Sequence, residues 1–154
     1  PEKSKEFWEA AMDNAIMYSG NAQARDAVAD GEIAWCFTDT DDAFGAIQDG
    51  KPVEIIYPDS GQDDMGVILL PNTLVKINNG PNPDAADELM NYLLSEETEV
   101  ALSQSRSAQI PVRAELSPPQ SIPSLEGKKI LDVDWQSVVD ALSESQVYLT
   151  TLIQ

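Results

Sequence analysis

Five consecutive residues with hydroxyl or carboxylate side chains follow an apolar run in this chain: Thr38, Asp39, Thr40, Asp41 and Asp42. The apolar run, residues 32–37, is typical of a buried strand, and residues 41–48 have the pattern of a short helix. Ligands of α/β proteins bind at such places, because strand ends meet helix N-termini that carry free N–H groups. The same side chains would also serve simply to cap the helix and complement its dipole, a contribution of about 1 kcal/mol.

Two further places carry candidate ligand-binding side chains. Ser19 and Asn21 flank a glycine at another predicted strand-to-helix junction, where N–H groups would bind an anion and where Asn21 is equally suited to cap the helix. Tyr57 ends the predicted strand 53–57, on the side of the sheet where Thr38 is expected, and its phenol suits ligand binding or stacking. We therefore add Ser19, Asn21 and Tyr57 to the candidate site.

The composition argues against several classes of function. The chain has 27 acidic and 9 basic residues, a net charge of −18, which repels nucleic acid and anionic membranes. It has no histidine, so a metal would need oxygen ligands, for which Asp41 and Asp42 are the candidates. Familiar catalytic motifs are missing, and we predict a protein that is not an enzyme and has no resident cofactor. A hydrolase using Asp39 and Asp41 is the alternative.

The order of the predicted elements favours an α/β fold. Helix and strand alternate three times over residues 1–57, which predicts a parallel or mixed sheet covered by helices. Residues 66–77 form a long extended stretch that Pro71 interrupts, as in a strand crossing between lobes. Helices are predicted after Asn82, after Ser95 and from near Asp134 to the end, with an irregular segment over residues 107–132. We predict an α/β unit at 1–77 and a helical segment at 78–154, packed as one compact unit.

Nine short segments, in order along the chain, resemble the extracellular solute-binding proteins of ABC transporters, and among them the branch described as iron(III)-binding. The segments are Gly20–Ala22, Val28–Ala34, Thr38–Ala43, Gly50–Val53, Tyr57–Asp59, Leu70–Thr73, Pro81–Ala86, Tyr92–Ser95 and Gln109–Val112. The family has two α/β lobes around a ligand cleft. The resemblance implies the second lobe of a type II periplasmic binding protein, a three-layer mixed sheet with flanking helices, plus C-terminal helices. It covers only the later part of the family, so an N-terminal lobe is the expected missing partner.

The resemblance also implies a function. The chain would be the substrate-binding component of an ABC importer, periplasmic or extracellular, delivering a solute to a permease. Asp41 and Asp42 stand where iron binders have adjacent tyrosines, and their oxygens suit ferric iron or another hard cation. Related binders take phosphorylated sugars, phosphonates, thiamine or polyamines. The alternative is a structural or interaction domain without transport, and we expect apolar surface at the absent lobe to favour self-association.

Overall fold

A computed structural model describes residues 2–153, and the regular secondary structure of this range is helical. The six helices are α1 Glu2–Met12, α2 Asn21–Ala29, α3 Thr40–Gln48, α4 Pro83–Leu93, α5 Glu96–Gln104 and α6 Trp135–Leu152. Between residues 2 and 153 the β-structure is limited to one isolated parallel bridge, from Val67 to Ile130. None of the helices in the described range is long and apolar enough to cross a membrane.

The predicted three-layer α/β sheet is wrong. A strand is stabilised by hydrogen bonds to a neighbouring strand. The predicted strands at 32–37, 53–57 and 66–77, and the one predicted to end at Ser19, form no ladder within the described range. Several of their large apolar side chains are left in solvent, with Trp35 67% and Ile56 77% exposed. The sequence pattern indicates strand propensity, but propensity does not supply a pairing partner.

Helices α3 to α6 begin within one residue of where the sequence predicts them, and their first turns explain why. Asp39 accepts a hydrogen bond from the main-chain N–H of Asp42, and Ser95 accepts one from Thr98, both at 3.2 Å. Each bond satisfies one of the N–H groups that a helix start leaves without an intrahelical partner. Asp134 caps α6 in the same way. The predicted helices at these positions are confirmed.

A small core joins α3 to the irregular segment that follows α5. Phe44, Ala108 and Ile122 are buried together, and three partly buried isoleucines pack around them: Ile47, Ile55 and Ile110. Helix α2 packs on α3, and the small residues Ala27 and Ala29 of α2 are buried. The start of α3 is thus held between α2 on one side and this core on the other.

Gly66 allows the chain to approach residues 129–131 closely. The N–H of Val67 donates to the carbonyl of Lys129, and the N–H of Leu131 donates to the carbonyl of Val67, both at 2.9 Å. Gly66 has φ +112°, and a Cβ atom there would lie 2.6 Å from the main-chain nitrogen of Leu131. A side chain at this position would force the two segments apart.

Candidate functional site

The N-terminal turns of α2 and α3 meet, and this brings together side chains from two of the candidate segments. The amide Nδ2 of Asn21 donates to Oδ2 of Asp39 at 2.7 Å, across 18 positions of sequence. The other carboxylate oxygen of Asp39 accepts the N–H of Asp42 at 3.2 Å. We call the group formed by Asn21, Arg25, Asp39, Asp41 and Asp42 the α2–α3 corner. In it, polar side chains from two helix starts face one another.

Arg25 is the member of the α2–α3 corner that the sequence analysis missed. Its Nη1 lies 3.3 Å from both the carbonyl oxygen and Oδ1 of Asp42, while Nη2 lies 2.7 Å from Oδ1 of Asp26. The signal was present in the spacing, because Arg25 follows Asn21 by four residues and therefore shares its helical face. Arg25 neutralises part of the charge that three neighbouring aspartates would otherwise concentrate.

Asp39 and Asp41 are close enough for their charges to interact, and their environments move their pKa values in opposite directions. Partial burial alone would raise the pKa of Asp39, but hydrogen bonds with Asp41, Asn21 and the N–H of Asp42 together lower it. The pKa of Asp41 is raised, first by burial and then by the hydrogen bond and negative charge of Asp39. Asp39 is thus the carboxylate that stays ionised, and Asp41 is the one that takes up a proton more readily.

The remaining candidate residues lie at different places. Thr38 is exposed just before Asp39, and Thr40 is half-buried in the first turn of α3. The hydroxyl of Ser19 donates to Oε1 of Gln23 at 2.5 Å, which keeps it at the start of α2. These three neighbour the α2–α3 corner in sequence, and their role as ligand-binding residues stays a prediction.

Tyr57 makes its contacts with a different part of the chain. Its hydroxyl donates to the carbonyl oxygen of Pro123 at 3.1 Å, and Nζ of Lys128 lies 5.7 Å from the centre of its ring. Burial raises the pKa of the phenol, so it is neutral at physiological pH. These contacts tie Tyr57 to the irregular segment rather than to the α2–α3 corner, and its ligand-binding role also stays a prediction.

The carboxylates of the corner are not arranged as a metal-binding cluster. Among residues 2–153, no group of three or more histidine, cysteine, aspartate or glutamate side chains could hold a metal ion. Asp42, one of the two predicted ligands, instead faces Arg25. Asp41 and Asp42 therefore remain predicted metal ligands, with the arginine as a competing partner.

An open depression of about 500 Å³ lies beside the other half of α3. It is lined by Phe44 and Gln48, by residues 103–105 at the end of α5, and by residues 117–121. None of these residues was predicted to bind a ligand, since serine, glutamine and proline in a loop carry no distinguishing pattern. The depression is separate from the polar side chains gathered at the start of α3.

Residues 2–129 match the family of bacterial extracellular solute-binding proteins. The chain belongs to this family. Neither a curated protein nor a solved structure matches the chain. Because the match spans most of the sequence, it confirms the solute-binding family that the nine segments indicated.

Membership settles the broad function of this extracellular solute-binding protein. Its family binds solutes and does not catalyse reactions, which confirms the prediction that the chain is not an enzyme. The expected class of partner, a small-molecule solute, is confirmed at the same level, as is the extracellular type of protein. Binding sites for small solutes contain a few hydrogen-bonding groups held in fixed positions.

Proposed function

We propose that this protein is the substrate-binding component of an ABC importer, and that residues 1–154 are the later part of a two-lobe receptor whose first lobe lies upstream. In this proposal the α2–α3 corner forms one wall of the solute cleft, and the permease is the partner that receives the solute. The family match supports the solute-binding role, and the order of the nine resembling segments supports the position within a longer receptor.

The observation that carries the proposal is the hydrogen bond between Asn21 and Asp39. It fixes two helix starts against each other, so the side chains around it hold their positions before a ligand arrives. Preorganised polar groups lose less conformational entropy on binding than mobile ones. The residues of the α2–α3 corner would therefore act as one surface.

The chemistry of the α2–α3 corner favours a solute that donates hydrogen bonds. Asp39 and Asp41 are acceptors, and their charge attracts ammonium groups as well as hydroxyls. A polyamine or another amine-bearing solute fits this set better than an anion does. Ferric iron, which the resemblance to the iron(III)-binding branch suggests, would have to separate Asp42 from Arg25 first.

A ligand screen followed by calorimetry tests the proposed ligand class. Melting temperature is measured with putrescine, ferric citrate, calcium, glucose 6-phosphate and inorganic phosphate, and binding is then titrated for the compounds that raise it. We expect putrescine to stabilise the protein and Asp41→Ala to weaken its binding about tenfold, or about 1.4 kcal/mol. Asp84→Ala is the matched control, since Asp84 occupies the first turn of α4 as Asp41 does that of α3. Equal losses of putrescine affinity in the two variants would contradict the proposed site. If ferric citrate alone stabilised the protein, the ligand would be iron and not an amine.

The encoding gene tests the importer assignment. We expect the reading frame to continue upstream into a first lobe with a signal peptide, beside a gene for a membrane permease. A reading frame limited to these residues, with no transporter gene beside it, would favour a structural or interaction domain that has lost transport.

A further inference from the structure

Residues 77–80 form a tight turn shortly before helix α4. The N–H of Gly80 donates to the carbonyl oxygen of Ile77 at 3.3 Å, which is long for a main-chain hydrogen bond. Asn79, inside the turn, is exposed and has φ +58°, in the left-handed region that asparagine and aspartate tolerate better than most side chains. The turn is thus a surface element that a long hydrogen bond closes.

The sequence of this turn brings an amide side chain next to an unhindered main-chain nitrogen. Asn79 is the only asparagine of the chain that a glycine follows. When the nitrogen after an asparagine loses its proton to a base in the solvent, it can attack Cγ: a C–N bond forms, ammonia leaves, and a cyclic imide results. Water then opens the imide at either carbonyl, which gives aspartate or isoaspartate. Glycine has no Cβ to hinder the attack, so Asn-Gly closes the ring most readily.

Other asparagines of the chain are held in ways that oppose the same reaction. The side-chain amides of Asn21 and Asn72 donate hydrogen bonds to side chains at 2.7 and 2.9 Å. Asn82 precedes a proline, which has no N–H that could react. Asn91 lies inside α4, where helical hydrogen bonds fix the main chain. By contrast, Asn79 is exposed in a turn and is followed by glycine.

We propose that Asn79 is a site of spontaneous deamidation, at which the main-chain nitrogen of Gly80 displaces the side-chain amide as ammonia. The proposal is independent of the solute and of the importer. Aspartate leaves the main chain unchanged and tolerates a positive φ as asparagine does, so the turn survives in that product. Isoaspartate adds a methylene to the main chain. It therefore distorts the turn and weakens the ion pair across it, from Lys76 to Asp87 at 2.6 Å.

Peptide mapping by mass spectrometry, on folded protein kept for weeks at physiological temperature, tests the proposal. Deamidation exchanges an amide NH₂ for OH, and fragment spectra show at which residue this occurs. We expect Asn79 to lose its amide at least about tenfold faster than Asn78. Asn78 is the control within the same molecule, because it is exposed in the same turn but is not followed by glycine. The rate at Asn79 should rise from mildly acidic to mildly alkaline pH, because the attacking nitrogen must lose its proton.

Two variants separate the chemistry from its effect on the turn. Gly80→Ala hinders the attacking nitrogen and should slow the loss at Asn79 about tenfold. Its Cβ would lie 3.3 Å from the carbonyl oxygen of Ile77, and circular dichroism checks that the variant keeps its helices. Asn79→Asp carries the same charge as the deamidated protein and should keep the melting temperature of the parent.

Deamidated protein isolated by anion exchange contains isoaspartate and should melt below Asn79→Asp. The proposal is overturned if the amide of Asn79 lasts as long as that of Asn78, if Gly80→Ala reacts at the parental rate, or if the loss occurs only in protein unfolded by urea. Equal melting temperatures of the deamidated protein and Asn79→Asp would overturn the distortion of the turn.

Discussion

The hydrogen bond between Asn21 and Asp39 can be tested by its contribution to stability. Asp39→Ala removes the acceptor of the Asp42 N–H, a helix cap worth about 1 kcal/mol. It also removes the acceptor of the Asn21 amide at 2.7 Å, an exposed bond to a charged group that we take as about 1 kcal/mol. The variant should therefore lower the free energy of unfolding by about 2 kcal/mol.

A double-mutant cycle separates the two terms. Asn21→Ala removes only the second bond, so the double variant should cost about 1 kcal/mol less than the sum of the two single variants. The assay is equilibrium unfolding in urea at neutral pH, with Asp39→Asn as a variant that keeps a good capping side chain. Asp134→Ala combined with Asn21→Ala is the control, because Asp134 caps α6 and shares no hydrogen bond with Asn21. A coupling energy below about 0.3 kcal/mol between Asn21 and Asp39 would show that their hydrogen bond does not hold the starts of α2 and α3 together.

Three other substitutions test the corner, the turn and the core. Folding raises the pKa of Asp41, so the ionised form of this side chain opposes folding. Asp41→Asn should therefore raise the urea midpoint at neutral pH and lose this effect below the ordinary aspartate pKa. An effect independent of pH would show that the charge of Asp41 is not the cause. Gly66→Ala should lower the free energy of unfolding in urea by about 2 kcal/mol or more, because the new Cβ atom would collide with Leu131. Gly127→Ala is the control: Gly127 also has a positive φ but has open space around it, so this change should cost only about 1 kcal/mol. Equal costs would argue against a close approach of the chain at Gly66. Phe44→Ala should cost about 3 kcal/mol in the same assay, and a loss below about 1 kcal/mol would mean that the small core does not hold α3.

The helices were predictable because their signals are local. Asp39 and Ser95 mark helix starts through a bond to an N–H three residues later, and this spacing is legible in the sequence. Pro83 at the start of α4 is a signal of the same kind. Capping depends only on residues within one helical turn, so these helix starts do not depend on how the rest of the chain folds.

The sheet was not predictable from the same sequence, because pairing is a property of two segments. Residues 53–57 and 66–77 have the composition of buried strands, but apolar alternation does not say whether a neighbour exists. Without a neighbouring strand, apolar side chains of these segments stay exposed: Ile56 is 77% exposed and Val75 is 83% exposed. The candidate site was predicted in part for a related reason: its aspartates form a visible run, whereas Arg25 enters through packing of α2 on α3.

Amide NMR can show whether the α2–α3 corner binds the solute, as we propose. The chain is titrated with putrescine or with another compound of the panel that raises its melting temperature. We expect the largest shift changes at the side-chain amide of Asn21 and the main-chain amides of residues 40–42. Saturating changes confined to residues 103–105 and 117–121, with the Asn21 amide unmoved, would contradict the claim and assign binding to the depression beside α3.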